Sequence, residues 1–105
     1  MKNIPSDWKA PSDCKAFSAK KLSELDARQR DAAIAFLRTY FSAEMMQLIR
    51  EAEKDNPQTW WVSYHRFWGM SVRNALRANG FGEEDLSVKT LDDYYVGLME
   101  AAAAE

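Results

Sequence analysis

The sequence has few of the residues on which small proteins build covalent or metal-held structure. It holds one cysteine and one histidine in 105 residues, so neither an intramolecular disulfide nor a Cys/His zinc site can form within one chain. Cys14 is read as a bystander thiol, and a single thiol suits a reducing compartment. Only three prolines and four glycines punctuate the chain, and no alternating apolar pattern marks a strand. Apolar runs reach only a few residues, far short of the roughly 20 that cross a bilayer, and the first residues lack the apolar stretch of a signal peptide. Localisation is therefore expected to be cytoplasmic, with no membrane contact. Net charge is −2, which gives no long-range pull toward nucleic acid or anionic lipid. Glycine-rich phosphate loops, HExxH elements and Ser/His/Asp spacings are also missing.

Aromatic content is high, with four Trp, four Tyr and five Phe in a chain that is 47% hydrophobic, and such a composition folds. The length suits one domain, residues 1–105. Its expected architecture is all-α: a compact bundle of about four helices (18–105) behind an irregular N-terminal arm (1–17). Pro5, Pro11 and short polar residues interrupt the arm, and Trp8 and Phe17 are expected to pack on the body. Ser23 and Asp26 have capping-box spacing ahead of Leu25, Ala33, Phe36, Leu37, Tyr40 and Phe41, which recur at helical spacing up to Ser42. Ser42 caps a second helix with Met45, Met46, Leu48 and Ile49, which Asp55-Asn56-Pro57 ends. Residues 57–79 contain no internal proline and no acid, and Asn79-Gly80 stops them, so they read as the longest helix and the spine of the bundle. Thr90 and Asp93 open a last helix running through Leu98 and Met99 to Ala104.

On a wheel of the third segment, Trp61, Tyr64, His65, Trp68, Val72, Ala75 and Leu76 share the core side, while Arg66, Arg73 and Arg77 line up opposite. This arginine stripe, with Trp60 and Phe67 beside it, is the candidate binding face. The plainest account of the stripe is internal neutralisation. Residues 57–79 carry three arginines and no acid, whereas residues 80–105 carry Glu83, Glu84, Asp85, Asp92, Asp93, Glu100 and Glu105 against Lys89 alone. Gly69 in mid-helix marks a place where the first or last helix crosses closely. His65 is the only group with an ordinary pKa near neutrality, and an enzyme reading would need it beside an aspartate in a pocket.

The run from Trp60 to Arg77, with Trp68-Gly69-Met70, Val72-Arg73-Asn74 and Leu76-Arg77, followed by Leu91-Asp92-Asp93-Tyr94-Tyr95, resembles small uncharacterised bacterial and phage helical proteins with a WGMxVRNxLR…LDDYY pattern. The resemblance implies an all-α fold and a bacterial or phage origin, and carries no activity, catalytic residue, cofactor or metal. Within the motif, Arg73 is placed to pair with Asp92 or Asp93 and tie the third helix to the fourth, with Trp68, Gly69 and Asn74 as structural companions. The leading expectation is a non-enzymatic module that binds a protein partner or a second copy of itself. A nucleic-acid-associated protein using the stripe with Trp60 and Phe67, and a small enzyme using His65 with an aspartate, are the alternatives.

Overall fold

A computed structural model describes residues 14–65 and 68–104. The expected docking of Trp8, and the positions of Arg66 and Phe67, lie outside the described residues. Within them, all regular structure is helical: α1 Cys14–Glu24, α2 Ala27–Tyr40, α3 Ala43–Asp55, α4 Trp68–Ala78, α5 Glu83–Leu86 and α6 Tyr95–Ala103, with single 3₁₀ turns at Val62–Tyr64 and Leu91–Asp93. The described residues thus form six helices rather than about four, and helix already begins at Cys14, inside the expected arm. No described helix is long and apolar enough to cross a membrane.

Local chemistry explains most of the boundaries. Asp26 is the N-cap of α2, its carboxylate accepting from the Gln29 N–H at 3.1 Å, while the Ser23 hydroxyl donates back to the Lys20 carbonyl. The expected Ser23/Asp26 box is therefore shifted by one helix: Ser23 ends α1 and Asp26 starts α2. Ser42 caps α3 as expected, accepting from the Met45 N–H. Thr90 accepts from the Asp92 N–H and caps the 91–93 turn, which then feeds α6. Gly80, at φ 87°, ends α4 in the left-handed conformation that lets the Phe81 N–H reach the Leu76 carbonyl at 2.8 Å.

The largest departure from expectation lies in residues 57–79, which do not form one helix. Thr59-Trp60-Trp61-Val62 is a run of β-branched and aromatic residues that crowd a preceding helical turn. The chain instead makes tight turns there, including Val62–Tyr64, and is α-helical over Trp68–Ala78. The wheel drawn across the whole segment is therefore out of phase on its two sides.

The spine is α6. Tyr95, Val96, Gly97, Leu98, Met99, Ala102 and Ala103 are all buried, and α1, α2, α3 and α4 pack around it. A helix apolar on every side belongs in the middle of a core, and its small residues let neighbours approach closely. Leu37, Ile49, Val72, Leu76 and Leu91 fill the surrounding layer, each fully buried.

One position is strained. Ser87, the C-cap of α5, sits at φ 58°, a conformation that costs an L-residue about 1 kcal/mol. Ser87→Gly is expected to raise stability by about 0.5 kcal/mol, the entropy of glycine offsetting part of the relief. A higher denaturation midpoint at unchanged slope would show it; no rise would mean that the Ser87 conformation is unstrained.

Candidate functional site

The two described stripe arginines do not share a free face. Gly69, Val72, Arg73 and Leu76 form the buried side of α4, and Arg73 is only 7% exposed. Its Nε lies 3.3 Å from Asp92 Oδ1, its Nη2 donates to the His65 carbonyl at 3.4 Å, and its guanidinium stands 4.8 Å above the centre of the Tyr95 ring. The ion pair joins α4 to the start of the last helical segment, and the Asp92 side chain remains half exposed. Asp93 is half-buried and faces the neighbourhood of Tyr94.

Arg77 makes a two-pronged pair with Glu83, Nε to Oε1 at 3.0 Å and Nη2 to Oε2 at 2.7 Å, and donates through Nη1 to Asn74 Oδ1. The hydrogen-bonded guanidinium holds the Glu83 carboxyl down to about 2. Both described arginines thus discharge into the acidic segment that follows them.

His65 completes the Arg73 cluster. Tyr95 Oη lies 2.6 Å from its Nδ1 and Arg73 Nη1 lies 3.2 Å from the same atom. A guanidinium can only donate, so Nδ1 accepts and the neutral ring carries its proton on Nε2. Burial, then the Arg73 charge, hold the histidine below its ordinary pKa, with Asp92 opposing. Burial likewise pushes the Tyr95 phenol up. Among the described residues no carboxylate hydrogen-bonds to His65, because Asp92 is held on Arg73 instead. Nor does His65 line either of the two main clefts, one between α1, α3 and α6 and one between α2 and α6. No group of three or more metal-ligating side chains occurs among the described residues.

Trp60 was expected outside both the core sector and the arginine stripe, as a candidate for the binding face, with stacking on nucleic acid in the alternative reading. It is buried, 4% exposed, and its indole N–H donates to Glu100 Oε2 at 2.8 Å. Burial pushes the Glu100 carboxyl above its ordinary pKa, partly offset by the indole and by Lys15. This pairing was missed in the sequence, although one acid inside the apolar run Tyr95–Ala104 was a signal that the helix had a polar partner to satisfy.

A different surface emerges where α2 meets α4. Ring contacts run without a break from Phe81 to Phe36 (5.8 Å between centroids), Phe36 to Tyr40 (5.9 Å), Tyr40 to Phe41 (5.5 Å), Phe41 to Trp68 (6.1 Å) and Trp68 to Tyr64 (5.3 Å). Phe41 anchors the run in the core, while Tyr40 and Tyr64 remain 42% and 43% exposed. Leu48, on α3, is also exposed. Tyr40 and Tyr64 escaped the sequence reading because both matched core spacing and neither carries a motif.

Comparison of the chain with protein-family models, with curated proteins and with solved structures finds no match in any of the three.

Proposed function

We propose that this chain is a non-enzymatic protein-docking module whose binding surface is the aromatic edge of Phe36, Tyr40, Trp68, Tyr64 and Phe81, and not an arginine stripe. The observation that carries the reading is the unbroken line of ring contacts with two tyrosines presented at its rim. Tyrosine and tryptophan on a rigid helical frame supply large contact area at small entropic cost, and each keeps a polar tip for a partner's hydrogen bond. The extent of ring surface favours a partner that presents apolar anchors.

The alternatives draw less from the geometry. Stacking on nucleic acid would need Trp60, which is buried, and Arg73 and Arg77, which are paired within the chain. General acid–base work by His65 would need a carboxylate partner and a cleft, and its Nδ1 is instead held by Tyr95 and Arg73.

The test compares tagged wild type, Tyr40→Ser/Tyr64→Ser and Arg77→Glu in capture from bacterial lysate. A bound protein kept by wild type and by Arg77→Glu, and lost by the folded double-serine variant, is the expected result. Loss through Arg77→Glu alone would return the function to the charged face and overturn the aromatic reading.

A further inference from the structure

Between Cys14 and Tyr40 the sequence contains neither glycine nor proline, yet the chain there forms two helices parted by Leu25 and Asp26. The break is held by a local cap and by tertiary packing together. Leu25 is buried, and Asp26 leaves helical geometry at ψ 130° while its carboxylate caps α2. The flanking residues, from Lys20 to Arg30, include many of the better helix formers. Turning the Asp26 ψ into the helical region would join α1 and α2 into one continuous helix and add the backbone hydrogen bonds that the break now omits.

Among the described residues, α1 is held mainly by half-buried and polar contacts, including Lys21 over the Tyr94 ring and the Lys15 N–H donating to Gln58. Ser18 is its one buried residue among those with described side chains. Gly97 on α6 provides the notch: a Cβ there would lie 2.9 Å from Leu22 Cγ and 3.1 Å from the Ser18 carbonyl. At one end Lys15 pairs with Glu53 and stands 4.0 Å from Glu100; at the other, Tyr94 Oη donates to Glu24. A cleft of about 290 Å³ stays open between Ala19 and Leu22 on one side and Gly97 and Ala101 on the other. Elements with few buried apolar contacts and polar end-ties are those that open first.

We propose that α1 exchanges between two copies of this chain: in each it extends α2, and it docks in the Gly97 notch of the other. The occupant follows from the fit, since the notch, the Glu53/Glu100 end and the Tyr94 end are complementary to α1 itself and would receive an identical helix in trans with the same contacts. The net gain is the helix completed across Leu25–Asp26, set against the entropy of association, so the state is favoured by concentration.

Two substitutions push the hinge in opposite directions. Ala27 is exposed and occupies the first turn of α2, where proline is well tolerated; its ring also favours the extended ψ that Asp26 already has. In a joined helix the same proline would clash one turn back. Asp26→Ala removes the cap that stabilises the break. Each protein is refolded at near-millimolar concentration with reductant present, and its mass is measured by light scattering, with circular dichroism to confirm folding. The expected order of dimer is Asp26→Ala above wild type above Ala27→Pro, the last dimerising about ten-thousandfold more weakly, as one proline inside each of the two joined helices dictates. Monomers throughout for wild type and Asp26→Ala would overturn the exchange. So would a dimer indifferent to Ala27→Pro, which would place self-association on another surface; the Tyr40→Ser/Tyr64→Ser variant reports separately on the aromatic edge.

Discussion

Arg73→Ala is expected to lower stability by about 3 kcal/mol, or about 15 °C in Tm for a domain of this size. The side chain fills the space between α4 and Tyr95, so its removal leaves a void over the Tyr95 ring and strips a donor from the His65 carbonyl. Asp92 adds little to the loss, because its half-exposed carboxylate returns to water. Asp92→Asn should therefore cost less, about 1 kcal/mol, although it leaves the buried guanidinium without its counter-charge. Arg77→Ala is the contrast: its pair with Glu83 has better geometry, yet 40% of the Arg77 side chain is exposed and solvent screens the pair, so the cost stays below about 1 kcal/mol.

The Arg73 variant has a second readout in His65. The histidine pKa is lowered in the fold, so the neutral ring contributes stability that is complete above the unfolded value of about 6.5 and is lost as pH falls below it toward the folded value. Removing Arg73 takes away one of the two lowering causes. The His65 pKa, followed by NMR, should rise, and the fall in stability below neutral pH should shrink. An unchanged Tm with an unchanged His65 titration would show that Arg73 does not hold this junction.

What could be read in the sequence was what local chemistry decides: all-helical structure, the Ser42 cap, the stop at Asn56-Pro57 and the Gly80 terminator. The Arg73–Asp92 pair and the close crossing at Gly69 were also legible, because a buried arginine needs an acid and a mid-helix glycine needs a neighbour. A Cβ at Gly69 would lie 2.8 Å from Tyr95 Oη, at the start of the last helix. As a binding face the arginine stripe rested on a wheel that assumes one unbroken helix; as internal neutralisation it was legible for Arg73 and Arg77, which pair with Asp92 and Glu83. Residues 57–65 turn separately, and within α4 Arg73 lies on the buried side while Arg77 stays partly exposed. The break at Leu25–Asp26 had one local sign, the Asp26 cap, but the edge linking Tyr40 to Tyr64 has none, since it exists only through contacts between residues distant in the chain. The same holds for α6 as spine: its apolar character was visible, but its place among four neighbours depends on how the others close around Gly97.

Trp60→Ala should be the more damaging change, at about 4 kcal/mol, since it empties a buried indole site and deprives Glu100 of its donor. Trp60→Phe separates these effects by keeping most of the packing and losing the N–H. Glu100 has a raised pKa in the fold, so its contribution favours the folded state below the unfolded value of about 4.5 and is lost as pH rises through the folded value. At neutral pH the buried carboxylate is therefore a cost that the indole and Lys15 only partly offset. In Trp60→Phe the Glu100 pKa should climb further and the destabilisation should be largest at neutral pH, narrowing as the solution is acidified. Glu100→Gln keeps an acceptor for the indole without the charge, so it is expected to raise Tm at pH 7 and to lose that advantage toward pH 4. If instead Glu100→Gln melts lower at pH 7, the attraction of Lys15 outweighs desolvation, and the α1 end-tie at Lys15 is stronger than the present geometry implies.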